Sequence, residues 1–149
     1  MGLADQFAGK KIYIDTAPFI YYIEGNKKYQ PFLEEFFELN NSGKISFSTS
    51  VLTLLELLIV PLRNKRMDIV EKYETIFTNA ETLELVDINI EISKLAAKYR
   101  ANFNFKTPDA IQLAAAEYCQ ADYFLTNDKQ LKQNNIKTIV LDNVLDNSL

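Results

Sequence analysis

Residues 11–24, KIYIDTAPFIYYIE, decide the fold that the sequence predicts. The stretch begins with residues that favour β-structure, so we expect a strand that ends at Asp15. Thr16 then offers an N-cap and Pro18 an early helical position, which predicts a helix running toward Glu24. An acidic side chain therefore stands where a strand passes into a helix.

The rest of the chain repeats this alternation of strand and helix. Further strands are predicted over residues 45–48, 83–88, 123–126 and 138–141. Further helices are predicted from Pro31, from Ser50 with a kink or an end at Pro61, over residues 68–77, 91–100 and 107–119, and briefly near Asp128. Strands separated by helices are not hairpin neighbours, so the sequence predicts an α/β fold, with a central parallel sheet of about five strands and helices on both faces. In such sheets ligands bind at the carboxyl ends of the strands.

Composition limits the architecture. A chain of 149 residues that is 48% hydrophobic, with only four Pro and four Gly, is expected to form a single domain over residues 1–149. Its longest apolar stretch, residues 51–62, is shorter than the ~20 residues needed to cross a bilayer, so we expect no membrane association. The lone Cys119 cannot form an internal disulfide, which favours a reducing, cytoplasmic location.

The residue types that are absent exclude whole classes of catalyst. The sequence has no His and one Cys, so it cannot build within itself a Ser-His-Asp or Cys-His system, a zinc site of three His residues or a CxxC pair. It also contains no Walker A loop and no GxGxxG turn. Carboxylate chemistry remains, and 20 Asp and Glu residues supply it.

Glu56 is the most informative acid, because it stands alone in the apolar stretch LTLLELLIV, which predicts a helix buried nearly all round. An isolated buried carboxylate is costly unless it is paired, protonated or bound to a metal. The alternative is that Glu56 reaches the surface or pairs with a lysine. The other candidates, Asp15, Asp109 and Asp128, each have a simple structural explanation as well: an acid at a helix entry, a charge at a helix N-terminus and a turn former.

Considered together, these four acids lie at two strand ends, at a helix start and in one apolar helix. Four carboxylates collected at one site would repel one another unless a divalent ion occupied the site. Mg²⁺ prefers oxygen ligands and Mn²⁺ accepts the same set. The sequence therefore predicts one acidic site for Mg²⁺ or Mn²⁺, formed by Asp15, Glu56, Asp109 and Asp128.

Four segments resemble the motifs of PIN-domain nucleases, in particular the VapC-like toxins of type II toxin–antitoxin pairs. They are IYIDTAPFIYYIE with Asp15, STSVLTLLELL with Glu56, KTPDAIQLAAA with Asp109, and ADYFLTNDKQL with Asp128 and, beside it, Thr126. Their spacings of 41, 53 and 19 residues suit that family, and the third segment is the most specific. One departure is Ala17, where many members carry Asn or Ser, so a hydrogen bond from that position is missing.

The resemblance implies hydrolysis of RNA phosphodiester bonds by bound metal. In that case Asp15, Asp109 and Asp128 hold the metal directly or through water, and Glu56 orients or activates the attacking water. A PIN-type RNA-processing nuclease and a non-catalytic module that binds RNA or protein are the alternatives. Receiver domains and HAD-type phosphatases are disfavoured, because both need a further acid close after the first strand, where Thr16 and Ala17 stand.

Partners are predicted from the basic and aromatic residues. The candidate RNA contacts are Lys10, Lys11, Lys27, Lys28, Arg63, Lys65 and Arg66. Each of them can also be explained as a solvated surface charge. Tyr21 and Tyr22 either stack on bases or belong to the core or a dimer seam. The helices containing PFIYYI and PFLEEFFEL carry more large apolar residues than one core face needs, which predicts an interface. The resemblance implies a homodimer and a cognate antitoxin whose Arg reaches Asp15 or Asp109.

Overall fold

The computed structural model describes residues 2–132 and 135–147, and within them the chain forms eight α-helices and five β-strands. The strands are β1 (Lys11–Ile14), β2 (Ser46–Ser50), β3 (Leu83–Val86), β4 (Tyr123–Thr126) and β5 (Lys137–Val140). The helices are α1 (Leu3–Phe7), α2 (Thr16–Ile23), α3 (Gln30–Asn41), α4 (Val51–Arg63), α5 (Met67–Phe77), α6 (Ile90–Phe103), α7 (Thr107–Tyr118) and α8 (Leu141–Asn147), and a 3₁₀ helix spans Lys129–Lys132. Residues 1, 133–134 and 148–149 of the predicted domain lie outside the described residues.

The strands form one parallel sheet in the order β3-β2-β1-β4-β5. The central strand is β1, and its Tyr13 pairs with Ser48 of β2 on one side and with Phe124 of β4 on the other. The chain thus builds outward from β1 through β2 and β3, then returns to the other side of β1 for β4 and β5. The strand order reverses between β1 and β4, and the carboxyl ends of such a strand pair border a crevice suited to ligands.

Helices pack on both faces of the sheet, as the sequence predicts for this α/β fold. Because side chains alternate along a strand, Ile12 and Ile14 of β1 face one core layer and Tyr13 faces the other. The first layer contains buried residues of α2, α3 and α5, and the second contains those of α6 and α7. The predicted central parallel sheet with two helical layers is therefore confirmed.

The ends of several elements differ from the sequence prediction. Helices α1 and α8 were not predicted, and Leu141 begins α8 instead of ending β5. Helix α4 continues through Pro61 to Arg63, so Pro61 does not end it. None of the described helices is long and apolar enough to span a membrane.

The aromatic residues of α2 and α3 pack within the chain. The expectation that they form an exposed interface is therefore wrong. Phe19 and Phe36 are fully buried, Phe37 is nearly so, and Tyr22 stacks on Phe37 with ring centroids 3.8 Å apart. The sheet has a helix layer on each face, so more large residues are needed in the core than one amphipathic face suggests.

Helix α4 carries several exposed apolar residues on one face. Leu55, Ile59 and Leu62 are 57%, 44% and 51% exposed, respectively. They follow one another at the i, i+4, i+7 spacing of a single helix face. The expectation that this helix is buried nearly all round is therefore wrong, and Glu56 is only half-buried.

Candidate active site

Asp15 joins the ends of the two central strands. It is the N-cap of α2, a role that the sequence assigned to Thr16, and its Oδ1 accepts the backbone N–H of Thr16 at 2.8 Å. Its Oδ2 accepts the hydroxyl of Thr126, the last residue of β4, at 2.7 Å. Burial raises the pKa of Asp15 to about 6 despite these two hydrogen bonds, and the charges of Asp109 and Glu56 contribute to the rise.

Glu56 points from α4 toward the same strand ends. Its Oε1 accepts the hydroxyl of Thr16 at 2.9 Å and the side-chain N–H of Gln112 at 3.1 Å. Thr16 therefore contacts two of the predicted acids, Asp15 through its backbone N–H and Glu56 through its hydroxyl. Among the described residues Glu56 has no lysine or arginine partner, so the alternative that it pairs with a lysine is wrong, although the side chain is partly exposed.

Asp109 and Asp128 complete the set from α7 and from the loop after β4. Asp109 lies in the first turn of α7 and is half-buried. Burial raises the pKa of Asp109, with smaller contributions from the charges of Asp128 and Glu56, while Lys106 opposes the rise. Asp128 donates its backbone N–H to Thr126 Oγ1 at 3.1 Å, and its Oδ1 accepts the N–H of Gln130 at 2.9 Å.

The four predicted acids lie together near the carboxyl ends of the strands, and hydrogen bonds link three of them. Thr126 links Asp15 and Asp128, and Thr16 links Asp15 and Glu56. Asp109 lies near enough to Asp128, Glu56 and Asp15 for their charges to act on one another. The carboxylates collect here because the carboxyl ends of β1 and β4 are adjacent, and because α4 contacts both α7 and α2, the helix that follows β1.

The chemistry of this donor set fits a hard divalent cation. The ion pairs found in the described part of the chain, Lys11–Glu84, Lys28–Asp142 and Arg66–Asp68, leave all four acids unpaired. Within the described residues, no three acidic or thiol side chains are arranged to bind a metal ion together directly. Mg²⁺ commonly binds through one or two carboxylates and keeps several waters, so such an open arrangement suits it.

Similarity to a known family covers the part of the chain that holds these acids. The PIN domain family model matches residues 12–137, a range that contains all four of them. The chain belongs to the PIN domain family. No curated protein sequence matches the chain.

Solved structures from toxin–antitoxin systems share the fold of this PIN domain. VapBC2 from Rickettsia felis, bound to a DNA fragment from its promoter, matches with a TM-score of 0.70 and 18% identity, over 87% of this chain and 98% of that one. A toxin–antitoxin complex from Klebsiella pneumoniae matches with a TM-score of 0.67 and 18% identity, over 87% and 96%. VapC20 from Mycobacterium tuberculosis, a sarcin–ricin loop cleaving toxin, matches with a TM-score of 0.61 and 13% identity, over 76% and 86%. At these identities the similarity shows the fold alone, which is VapC-like.

Two residues of this PIN domain that contact the acids were not predicted as site residues. Thr16 was predicted only as a helix cap, whereas its hydroxyl donates to Glu56. Gln112 was not singled out, although it is the one polar residue in the run AIQLAAA and stands three residues after Asp109. Residues three apart share a helix face, so the sequence held a signal for Gln112.

The predicted RNA-binding cations are spread over the surface. Lys11 is the first residue of β1, so it lies at the amino-terminal end of the strand, opposite the acids, and it pairs with Glu84. Lys28 pairs with Asp142, and Arg66 with Asp68. Lys106, which is not among the predicted RNA contacts, is exposed and acts electrostatically on Asp109.

The two tyrosines predicted to stack on bases pack against other rings of the chain. Tyr22 stacks on Phe37, and Tyr21 stacks on Tyr29 with centroids 4.3 Å apart. The hydroxyl of Tyr21 also accepts a hydrogen bond from Asn127, the neighbour of Asp128, at 3.3 Å. Both rings therefore serve as packing elements, and Tyr21 does so next to Asn127.

Proposed function

We propose that this PIN-domain protein is a metal-dependent ribonuclease and the toxin of a toxin–antitoxin pair. The observation that carries the proposal is a set of four acids near the carboxyl ends of β1 and β4. Thr16 and Thr126 link three of these acids by hydrogen bonds, and none of the four has an ion-pair partner among the described residues. Membership of the PIN domain family supports the nuclease class. The similar fold of VapC20, described as a sarcin–ricin loop cleaving toxin, supports RNA as the substrate.

A Mg²⁺ or Mn²⁺ ion bound at these acids would supply a hydroxide nucleophile and neutralise charge on the phosphate. Asp15, Asp109 and Asp128 are the residues assigned to hold it, directly or through water. Thr126 and the backbone of Thr16 stabilise Asp15 in its charged form, because both donate hydrogen bonds to the carboxylate.

Glu56 is assigned to orient or activate the attacking water. Both of its described hydrogen bonds are to Oε1, so Oε2 has no hydrogen-bond partner among the described residues. An anchored carboxylate with one free oxygen can accept a hydrogen bond from water in a fixed direction.

The RNA phosphates need cations near the acids, and Lys106 is the candidate that the structure adds. Lys106 is the exposed residue directly before α7, and its charge acts to lower the pKa of Asp109. The net charge of −4 gives the chain no overall electrostatic attraction to RNA, so local contacts carry binding in this proposal.

The proposed protein partners are a cognate antitoxin and a second copy of the chain. The structures of similar fold from Rickettsia felis and Klebsiella pneumoniae are toxin–antitoxin complexes, which supports the antitoxin. The exposed apolar face of α4, formed by Leu55, Ile59 and Leu62, supports the homodimer in place of the aromatic residues of α2 and α3.

The second candidate function is a PIN module that binds RNA or protein without cleaving RNA. It requires no metal, and it is compatible with the finding that no three acids among the described residues bind a metal together directly, an arrangement that Mg²⁺ does not require either. Direct metal titration separates the candidates, because only the nuclease requires binding of Mg²⁺ or Mn²⁺ at the acids.

The proposal is tested by RNA cleavage with purified wild type and with Asp15→Asn and Asp109→Asn, each with Mn²⁺, with Mg²⁺ and with EDTA. Both variants remove a charge and keep the shape, so we expect cleavage to be lost while circular dichroism shows an unchanged fold. Glu84→Gln is the matched control. Glu84 pairs with Lys11 at the amino-terminal ends of the strands, away from the acids, so this variant should cleave at the wild-type rate. Cleavage by either Asn variant near the wild-type rate would overturn the site assignment.

A further inference from the structure

Gln112 is a buried polar side chain that bridges the core and the acidic site. It is 1% exposed and lies in α7 among fully buried apolar residues. Its Oε1 accepts hydrogen bonds from the hydroxyls of Tyr13 and Thr53, the latter at 3.0 Å. Its Nε2 donates to Oε1 of Glu56 at 3.1 Å. Each end of the amide therefore faces a different environment.

The chemistry of Glu56 fixes which way this amide points. An ionised carboxylate can only accept hydrogen bonds, so the group against it must be the amide nitrogen. Oε1 must then face the hydroxyls of Tyr13 and Thr53, which can donate to it. Burial raises the pKa of Tyr13, so that hydroxyl remains a donor. The reversed amide would place oxygen against carboxylate and leave a buried group without a partner, which is costly.

The same side chain sets the relation between two helices that carry acids. Gln112 follows Asp109 by three residues on α7, and its contacts on α4, Thr53 and Glu56, are also three residues apart. Residues at this spacing lie on one face of a helix. Gln112 thus reaches two successive positions of α4, and through Tyr13 it also reaches the central strand.

We propose that Gln112 is a positioning residue: its amide, held by Tyr13 and Thr53, orients the Glu56 carboxylate toward the acidic site. This inference rests on the proposed ribonuclease function only for its catalytic consequence. The hydrogen bond itself is a property of the folded chain.

The consequence is a loss of turnover with unchanged substrate binding. Without the amide, Glu56 keeps its hydrogen bond from Thr16 but can rotate about it. Loss of a residue that orients a side chain of a metal site typically lowers activity by about 10- to 100-fold, and we expect a similar effect when Glu56 loses its amide partner. Gln112 lies beneath the acids and is buried, so RNA contacts are preserved and the effect falls on kcat.

The test compares Gln112→Met with Tyr13→Phe. The first removes both hydrogen-bonding ends of the amide at similar length. The second removes only a donor to Oε1 and leaves the Nε2 contact with Glu56. We expect Gln112→Met to lower kcat about 10- to 100-fold with KM unchanged. Tyr13→Phe, in which Thr53 still donates to Oε1, should lower kcat clearly less although it too loses a buried hydrogen bond. Equal losses of kcat in the two variants, tracking their losses of stability, would show a merely structural role and overturn the proposal.

A double-mutant cycle with Glu56→Ala tests the pathway. If Gln112 acts through Glu56, adding Gln112→Met to Glu56→Ala causes no further loss of kcat. Additive losses would mean that Gln112 acts by another route, which contradicts the inference.

A measurement without substrate separates this inference from the proposed function. In nuclear magnetic resonance spectra the Nε2 protons of Gln112 should exchange slowly with water in the wild type, and their chemical shifts should move in Glu56→Ala but not in Glu84→Gln. Unchanged shifts in Glu56→Ala would refute the hydrogen bond. If the shifts move as expected and no RNA is cleaved, the proposed function fails while the orienting contact stands.

Discussion

Replacing Asp15 by Asn should stabilise the metal-free protein at neutral pH. Asn keeps the shape of the side chain and an oxygen that can accept the Thr16 backbone N–H, so the cap of α2 survives. It removes a charge that burial and the charges of Asp109 and Glu56 disfavour. A substitution expected to abolish activity is therefore also expected to increase stability.

The magnitude follows from the pKa of Asp15, which is raised from 3.8 to about 6 in the folded protein. A pKa difference of one corresponds to about 1.36 kcal/mol, so this rise destabilises the folded state by about 2 to 3 kcal/mol when the carboxylate is ionised. The sign is set by proton binding: between pH 4 and 6 the folded state holds more protons than the unfolded state. The penalty is therefore fully present above pH 6 and disappears as the pH falls toward the unfolded value.

The assay is urea denaturation of wild type and Asp15→Asn in EDTA at several pH values from 4 to 8. We expect Asp15→Asn to be more stable by about 2 to 3 kcal/mol at pH 7.5, equivalent to a Tm higher by roughly 5 to 10 °C in a chain of this size. The difference should shrink steadily as the pH is lowered to 4.

Asp142→Asn is the matched control with the opposite sign. Asp142 lies in the first turn of α8, and hydrogen bonds from Tyr29 and Lys28 hold its pKa below the usual range. Its ionised form therefore stabilises the folded state, and the Asn variant should be less stable than wild type at pH 7.5. The reasoning would be refuted if Asp15→Asn and Asp142→Asn destabilised the protein alike, or if the effect of Asp15→Asn did not depend on pH.

Three further predictions concern metal, core and assembly. Millimolar Mn²⁺ should raise the Tm of the wild type measured by differential scanning fluorimetry, since binding favours the folded state, and an unchanged Tm would argue for a structural role of the acids. Phe36→Ala should cost about 3 to 5 kcal/mol in urea denaturation, because Phe36 is fully buried, whereas Phe103→Ala, at a residue 39% exposed, should cost clearly less. Wild type should be dimeric at micromolar concentration by light scattering and Leu55→Ser/Ile59→Ser monomeric; a monomeric wild type would rule out the homodimer.

The sheet could be predicted from the sequence because its strands are short runs of β-favouring residues separated by helical segments. The predicted strand over residues 123–126 has the observed bounds. The parallel pairing of the strands follows from the helices that separate them in the sequence. Helices α1 and α8 could not be found this way, since at five and seven residues they are too short to show a helical period. They form through tertiary contacts: Phe7 packs on Phe36 and Tyr123.

That these four acids lie near one another could be predicted, whereas the contacts that hold them could not. A lone Glu in an apolar run was noticeable, yet the run suggested a helix buried all round, and α4 exposes one apolar face. What holds Glu56 is the meeting of α4 with α7 and with the start of α2. Sequence patterns report the period of each helix but not which residues of two distant helices touch.

The strand order determines when, during synthesis of the chain, the acidic site can form. The hydrogen bond from Thr126 to Asp15 joins residues 111 positions apart, and it depends on β4 lying beside β1. The strands β1, β2 and β3 are neighbours in both sequence and sheet, so they can associate while the chain is still emerging from the ribosome. The acidic site is completed only when β4 inserts on the open side of β1. A nascent chain that lacks β4 therefore cannot hold Asp15 and Asp128 together, which delays any activity of the site until β4 has been synthesised.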